Sequence, residues 1–165
     1  MSKVRPVYNA AADKLKGKDV LVYINFGETA TYEAPVWCLI GGQTDAKYTI
    51  KADSIDGSNK TSGGWGETYS GIKTSELSMS GIRCKNDEGY NALKDAFLKD
   101  EKVDIVRYST DGGAERNWYS VTDLSDSTPH DDMASFDATL EGVGKPTFYS
   151  GLLAITDVKG AGGEG

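Results

Sequence analysis

The chain has 165 residues, which suits a single domain that can bury an apolar core without disulfides or a metal. Its formal charge is −7, with 25 acidic and 18 basic residues, and this balance argues against a surface that grips nucleic-acid phosphates. Hydrophobic residues make up 38% of the chain and glycine occurs 20 times, a composition typical of many strands and turns rather than of a helical bundle.

Four strands are predicted in the first half of the chain. Residues 19–26 and 35–40 are apolar at successive positions, as in strands that are buried on both faces. Residues 45–51 and 73–84 alternate apolar with polar side chains, so each is expected to bury one face. Gly81 marks a bulge within the last of these strands.

The second half predicts one helix followed by strands. Asp87 can cap a helix that carries apolar residues at helical spacing on one face, namely Tyr90, Leu93 and Phe97. The glycines of 111–113 indicate a hairpin turn between two strands. The four predicted strands of this half are 103–109, 117–124, 133–141 and 147–155. The predicted fold class is therefore mainly β, an antiparallel sandwich or barrel of two packed sheets with one flanking α-helix, in a single domain over residues 1–165.

A Gly/Ser/Thr-rich segment, residues 52–72, separates two of the predicted strands and is longer than the connections of compact domains usually are. Ordering such a loop costs about 1–2 kcal/mol per residue, whereas burying each of its large aromatic side chains returns only about 3 kcal/mol. We therefore expect the loop to be mobile in a monomer and to become ordered against another molecule. The predicted subunit-interface residues are Ile55, Trp65, Tyr69 and Ile72. The alternative is a loop that folds over its own domain.

The sequence offers little for catalysis or metal binding. His130 is the only histidine, and it lies near Asp126, Asp131 and Asp132 in a spacing that matches no established motif. Ser, Thr, Pro and Asp surround it in turn-forming order, which favours a solvated loop over a metal or acid–base site. The glycine-rich stretches lack the frame of a phosphate-binding loop. We predict no enzyme activity, no cofactor and no metal.

Three aromatic residues raise the alternative of a carbohydrate-binding or adhesion module, with Trp65, Trp118 and Tyr119 as the stacking platform. Trp118 and Tyr119 are neighbours in a predicted strand and so point to opposite faces, which weakens this alternative.

Compartment is indicated by the cysteines and by the start of the chain. Cys38 and Cys84 lie within strand patterns and are predicted to be buried free thiols. Residues 1–12 contain no apolar run typical of a secretory signal, and no stretch is long and apolar enough for a membrane span. We expect a cytosol-like compartment and no membrane.

Three segments carry a resemblance to a known family. They are WCLIGGQTDAKYTIKADSIDGSNKTSGGWGETYSG (37–71), VDIVRY (103–108) and FDATLEGVGKP (136–146). In the amino-acid sequence of these segments and in the order of its elements, the chain resembles the major tail proteins of long-tailed, non-contractile bacteriophages. The resemblance is closest to the compact type common in phages of Gram-positive hosts. The resemblance extends over nearly the whole chain.

This resemblance implies a fold of two packed sheets with a flanking helix, shared with the tube subunits of contractile injection machines. It implies a structural virion protein whose hexameric rings join their inner strands into one barrel and stack into the tail tube. DNA passes through such a tube into the host without specific binding. The implied partners are further copies of the chain, the tape measure protein, the tail terminator and the baseplate or distal tail proteins. Assembly is implied to take place in the cytoplasm of the host bacterium.

The resemblance also assigns roles to segments and side chains. The parts expected to reach neighbouring subunits are an N-terminal arm (1–18), the assembly loop (52–72) and a flexible C-terminal end (156–165). Carboxylates in the lumen would repel DNA phosphates. Alternation places Glu76, Asp137 and Glu141 on polar strand faces, and these are the predicted lumen residues. The alternative is that they face solvent on the outer surface.

Overall fold

The computed structural model describes residues 15–159, which form an antiparallel β-sheet and one α-helix. In chain order the elements are β1 (Val20–Asn25), β2 (Trp37–Leu39), β3 (Gln43–Asp56), β4 (Thr68–Ile82), α1 (Glu88–Leu98), β5 (Val103–Ser109), β6 (Ala114–Ser127) and β7 (Ser135–Tyr149). Short 3-10 helices lie at Gly17–Asp19 and Ile155–Asp157. The predicted mainly-β class with one flanking helix is confirmed.

All seven strands belong to one open sheet in the order β2-β1-β5-β6-β7-β4-β3. The register of β6 against β7 shifts at two places, and such bulges bend and twist a strand. The Gln43 side chain at the start of β3 exchanges two hydrogen bonds, of 3.0 and 2.8 Å, with the backbone of Val22 in β1. The two ends of the sheet therefore come together, and the predicted layers are two halves of one continuous sheet.

The core lies between these halves and is closed by α1. Alternate residues of β1, β4 and β7 face it, as their burial pattern shows. Fully burying one aliphatic or aromatic side chain contributes about 1.5–3 kcal/mol, so this cluster is the main source of stability. Its members include Val22, Ile24, Leu77, Met79, Tyr90, Leu93, Ala96, Ile105, Tyr119, Phe136, Ala138 and Leu140.

The helix begins where the sequence predicted. The Asp87 carboxylate accepts a hydrogen bond from the Tyr90 backbone N–H at 3.3 Å, so the predicted cap is confirmed. Tyr90 and Leu93, on the predicted apolar face of the helix, are buried, whereas Phe97 on the same face is 42% exposed. Ala96, three residues after Leu93, takes the core position instead.

The strand boundaries differ most from prediction in two regions. Residues 52–56 and 68–72 pair with each other, so β3 and β4 extend far into the predicted loop and only 57–67 connect them. β7 runs through 142–146 as a single strand, where a break had been predicted. Gly144 and Pro146 are tolerated because β4 pairs with β7 only up to Glu141, which leaves this stretch at an edge. Gly142 instead lies close to Ser75 of β4, where a Cβ would clash with the Ser75 hydroxyl. Residues 1–14 and 160–165 lie outside the described part of the chain.

The turn from β2 to β3 depends on Gly42. Its φ is +72°, and a Cβ there would lie against the carbonyl oxygen of Ile82. Gly42→Ala is expected to lower the free energy of unfolding by about 2–4 kcal/mol, through both strain and the clash. Gly63→Ala is the matched control, because φ there is +64° with nothing within 4 Å, and about 1 kcal/mol is expected. Equal losses of unfolding free energy in the two variants, measured by chemical denaturation, would show that the clash with the Ile82 carbonyl contributes nothing.

Candidate assembly surfaces

The distal part of the β3–β4 hairpin projects beyond the rest of the sheet. β7 pairs with β4 only as far as Glu76, and the partner of Glu76 in β3 is Thr49. Residues 50–75, here called the arm, therefore continue as two strands and a loop with no third strand beside them within residues 15–159. At about 3.4 Å per residue the paired part of the arm extends roughly 20–25 Å.

All four predicted interface residues lie on the arm, and all are exposed. Ile55 and Tyr69 are direct cross-strand partners, so their side chains share one face of the arm. Trp65, in the connecting loop, is 81% exposed and Ile72 is 74% exposed. Ile50 is a further exposed apolar residue, which the sequence reasoning missed because alternation does not show where the neighbouring strand ends. Because these side chains stand in solvent, the arm does not fold over its own domain.

Hydrogen bonds organise the loop at the end of the arm. The Gly57 N–H donates to the Glu67 carbonyl at 2.8 Å, and the Glu67 N–H donates to the Ser58 hydroxyl at 2.7 Å. The Trp65 N–H donates to the Ser62 carbonyl at 3.1 Å. Many hydrogen-bond donors and acceptors of the loop backbone are thus paired within the arm itself. The exposed Trp65 side chain remains available to contact another surface.

The outer face of β6, β7, β4 and β3 is polar. Glu76 in β4 lies directly opposite Glu141 in β7, and Asp137 lies between Ser80 and Ser125. The structure brings all three predicted lumen residues onto this face, and all are exposed. Their neighbours are mostly hydroxyl side chains: Thr49, Thr74, Ser78, Ser80, Ser120, Ser125 and Thr139.

Glu76 and Glu141 repel one another across the strands, because like charges in directly opposed positions are destabilising. Glu141→Gln is expected to raise Tm by about 1–3 °C at low salt and by less at high salt, where the repulsion is screened. Thermal melts at two salt concentrations measure this. Glu28→Gln, an exposed change away from this pair, is the control; an equal gain there would reflect net charge alone.

A buried ion pair anchors the connection between β1 and β2. The Arg116 guanidinium donates to both oxygens of Asp104, at 2.9 and 2.5 Å, and to the Tyr32 carbonyl at 2.8 Å. Its Cζ atom lies over the Tyr32 ring, 3.9 Å from the ring centre. Burial acts to lower the pKa of Arg116, but the bonded Asp104 carboxylate outweighs it and the pKa lies above its ordinary value. Asn25 donates to Asp104 at 3.0 Å, so the pair ties this connection to the sheet.

The other candidates of the sequence do not form a chemical site. His130 is 99% exposed, and its Nε2 lies 3.7 Å from Asp131, while Asp126 pairs with Arg83 instead. Within residues 15–159 no group of three or more His, Cys, Asp or Glu side chains has the geometry to hold a metal ion. None of the helices in this range has the length and apolar character needed to cross a membrane.

The aromatic residues and cysteines fall in separate places. Tyr119 is buried and Trp118 faces outward, as predicted, but Trp118 stacks on Tyr32 with ring centres 5.9 Å apart, and Trp65 lies at the end of the arm. They do not form one platform for a sugar. Cys38 is half-buried, and burial, assisted by Glu88 and Asp87, raises the pKa of its thiol. Cys84 is exposed, so its predicted burial was wrong; it lies just beyond the end of β4.

Comparison with known proteins identifies the family. Residues 14–148 match the family model described as phage tail tube protein. The chain belongs to the phage tail tube protein family. It is therefore a structural component of a phage tail tube, and the carbohydrate-binding alternative is not supported. None of the curated proteins matches this chain.

Solved structures share the tail tube fold. A chain of the native gene transfer agent virion is 20% identical, with a TM-score of 0.69 over 82% of this chain and 98% of its own. A chain of the SPP1 tail tube is 14% identical, with a TM-score of 0.70 over 84% of this chain and 81% of its own. A chain of an extracellular contractile injection system's sheath–tube complex is 13% identical, with a TM-score of 0.60 over 86% and 95% of the two chains. The predicted similarity of fold to the tube subunits of contractile injection machines is confirmed.

Proposed function

We propose that this tail tube protein is a major tail protein, whose copies form hexameric rings that stack into the conduit for genome ejection. The observation that carries the proposal is the arm, which exposes Ile55, Trp65, Tyr69 and Ile72 on a chain of this family. Six copies per ring is supported by a similar chain, 20% identical with a TM-score of 0.70, from a gene transfer agent tail with C6 symmetry.

The arm is assigned to the contact between rings. It extends along the strand direction beyond the body of the sheet, which supports a reach beyond the ring to which its own domain belongs. Covering large exposed apolar side chains contributes about 1.5–3 kcal/mol each, and their cross-strand pairing already orders the arm. The conformational entropy that the arm loses on binding is therefore smaller than that of a disordered loop.

The polar face of β6, β7, β4 and β3 is assigned to the lumen. Glu76, Asp137 and Glu141 would there place carboxylates towards the DNA, and phosphates are repelled by like charge. Double-stranded DNA would pass without specific binding, since tight binding requires contacts from Lys and Arg that release counterions. The opposite face of these strands is occupied by the apolar core and is closed to DNA.

The remaining partners follow from this role. A tube has two ends and a content, so the proposed partners are the tail terminator at one end, the baseplate or distal tail proteins at the other, and the tape measure protein inside. Copies would assemble in the cytoplasm of the host bacterium and remain in the virion. Residues 1–18 and 156–165 are proposed as further contacts between subunits.

Electron microscopy of the purified protein over a range of concentrations tests the proposal. Hollow rings and tubes are expected above a threshold concentration, with six-fold symmetry in end-on views. Discrete particles at every concentration, or closed rings that never stack, would overturn it. Mixing the tubes with double-stranded DNA is expected to give no retention at physiological salt, and retention would remove the assignment of the polar face to the lumen.

A further inference from the structure

A fork in the sheet marks the root of the arm. β4 pairs with β7 only up to the pair of Glu76 and Glu141. Beyond this point β4 continues with β3 into the arm, whereas β7 continues beside β6 as far as Tyr149. The register of β6 against β7 also shifts on this side, between Arg116 and Trp118. The two branches therefore diverge, and the angle between them sets the direction of the arm.

Polar side chains from both branches meet in this fork. Tyr48 of β3 and Ser75 of β4 lie on the branch that leads into the arm. The Arg107 guanidinium of β5 lies over the Tyr48 ring, with its Cζ 5.8 Å from the ring centre. The hydroxyls of Ser75 and of Tyr119 in β6 lie near Tyr48 Oη, but neither has hydrogen-bond geometry with it. On β7 the residue at this level is Gly142, which leaves room for the Ser75 hydroxyl.

The polar cluster lies where the apolar core ends. Leu77 in β4 and Ile105 in β5 are fully buried. Ser75 and Arg107 stand two positions away on the same faces of these strands. Polar groups at the edge of a core are costly unless each one is hydrogen-bonded. The hydrogen-bond partners of these side chains therefore decide how firmly the two branches are held together.

Three buried polar atoms of the cluster have no hydrogen-bond partner among residues 15–159, namely Tyr48 Oη, Ser75 Oγ and Arg107 Nε. The Glu115 carboxylate accepts a hydrogen bond from another nitrogen of the same guanidinium, Nη1, at 3.3 Å. Burial raises the pKa of Tyr48 above its ordinary value, so its hydroxyl keeps its proton and requires an acceptor. Folded proteins satisfy such groups with buried water molecules, each of which makes about three hydrogen bonds.

We propose that the fork is a hydrated joint, in which ordered water bridges Tyr48 Oη and Ser75 Oγ to Arg107 Nε. β5 is not a neighbour of β3 or β4 in the sheet, so the bridge supplies a link that the backbone hydrogen bonds do not. Its hydrogen bonds hold the arm at one angle to the body of the domain. The joint is a property of the single chain and does not depend on self-assembly.

Two variants test the joint. Tyr48→Phe combined with Ser75→Ala removes the bridged atoms on the arm's branch, and Arg107→Met removes the atom on β5. In both variants, ¹⁵N relaxation below the assembly threshold is expected to show backbone order parameters for residues 52–56 and 68–72 falling from about 0.85 to below about 0.6. The Tm of the monomer is expected to change by less than about 5 °C, because the hydroxyls are replaced by apolar groups of nearly the same shape.

Tyr149→Phe is the matched control, since it removes a tyrosine hydroxyl outside the fork, where that hydroxyl donates to the Lys159 carbonyl at 2.9 Å. The control should leave the order parameters of the arm unchanged. An arm as rigid in both variants as in the wild type would overturn the joint. A fall in Tm with an unchanged arm would overturn it as well, because the cluster would then only stabilise the core.

A crystal structure of the wild-type protein at a resolution that shows ordered water tests the bridge directly. A water is expected within hydrogen-bond distance of Arg107 Nε and of Tyr48 Oη or Ser75 Oγ. Ordered solvent elsewhere on the chain, with none at this position, would exclude the bridge.

Discussion

Trp65→Ala is expected to raise the concentration needed for tube formation by roughly 30- to 100-fold, without a change in the Tm of the monomer. Trp65 is 81% exposed, so it adds nothing to the core of its own domain. It is the largest apolar side chain on the arm, and burying it in the proposed contact between rings would contribute about 2–3 kcal/mol per copy. Pelleting of tubes across a dilution series measures the threshold.

Two further variants make the result specific to the arm. Leu98→Ala removes an exposed apolar side chain at the end of α1, 69% exposed, and is expected to leave the threshold unchanged. Trp65→Phe keeps an aromatic ring at the same place and should recover most of the assembly. Tubes of Trp65→Ala at the wild-type threshold would exclude the arm's aromatic residue from the interface.

The sequence predicted the end of an element correctly where a local signal marks that end. β5 has the predicted bounds because an apolar run meets the glycine turn at 111–113, and α1 begins at its Asp87 cap. The arm had no such signal. Apart from Ser75 at its base, the strands of the arm are exposed on both faces, and apolar alternation indicates burial of one face rather than pairing of the backbone. The predicted loop 52–72 was therefore wrong in extent, although its exposed apolar residues were recognised.

The candidate surfaces were predictable to different degrees. Glu76, Asp137 and Glu141 share a face because strict alternation in β4 and β7 is independent of tertiary context. Their proposed place in a lumen depends on how several copies are arranged, and the residue types at single positions of one chain do not determine that arrangement. Arg116 was missed, since the predicted strand began only at residue 117 and a charged residue ordinarily faces solvent. Asp104, between valine and isoleucine in β5, was the available signal for a buried charge that requires a partner.

Arg116→Met is expected to lower the free energy of unfolding by about 3–5 kcal/mol and Tm by about 6–20 °C. Arg116 is 1% exposed, and its removal would leave the Asp104 carboxylate buried without its cation. The Tyr32 carbonyl would lose its donor as well, so the connection between β1 and β2 would loosen. Chemical denaturation of the monomer, below the threshold of assembly, measures the loss.

The double variant Asp104→Leu, Arg116→Met separates the two contributions to that loss. If the loss of stability in Arg116→Met comes mainly from the unpaired, buried Asp104 carboxylate, removing both charges should recover most of the stability. Apolar replacements of a buried ion pair are often neutral. If the cation also holds the connection in place through Tyr32, stability should return only in part. Arg83→Met is the control, because its pair with Asp126 is partly exposed and is expected to matter by less than about 1 kcal/mol. A loss for Arg116→Met no larger than that control would show that the buried pair does not anchor this part of the fold.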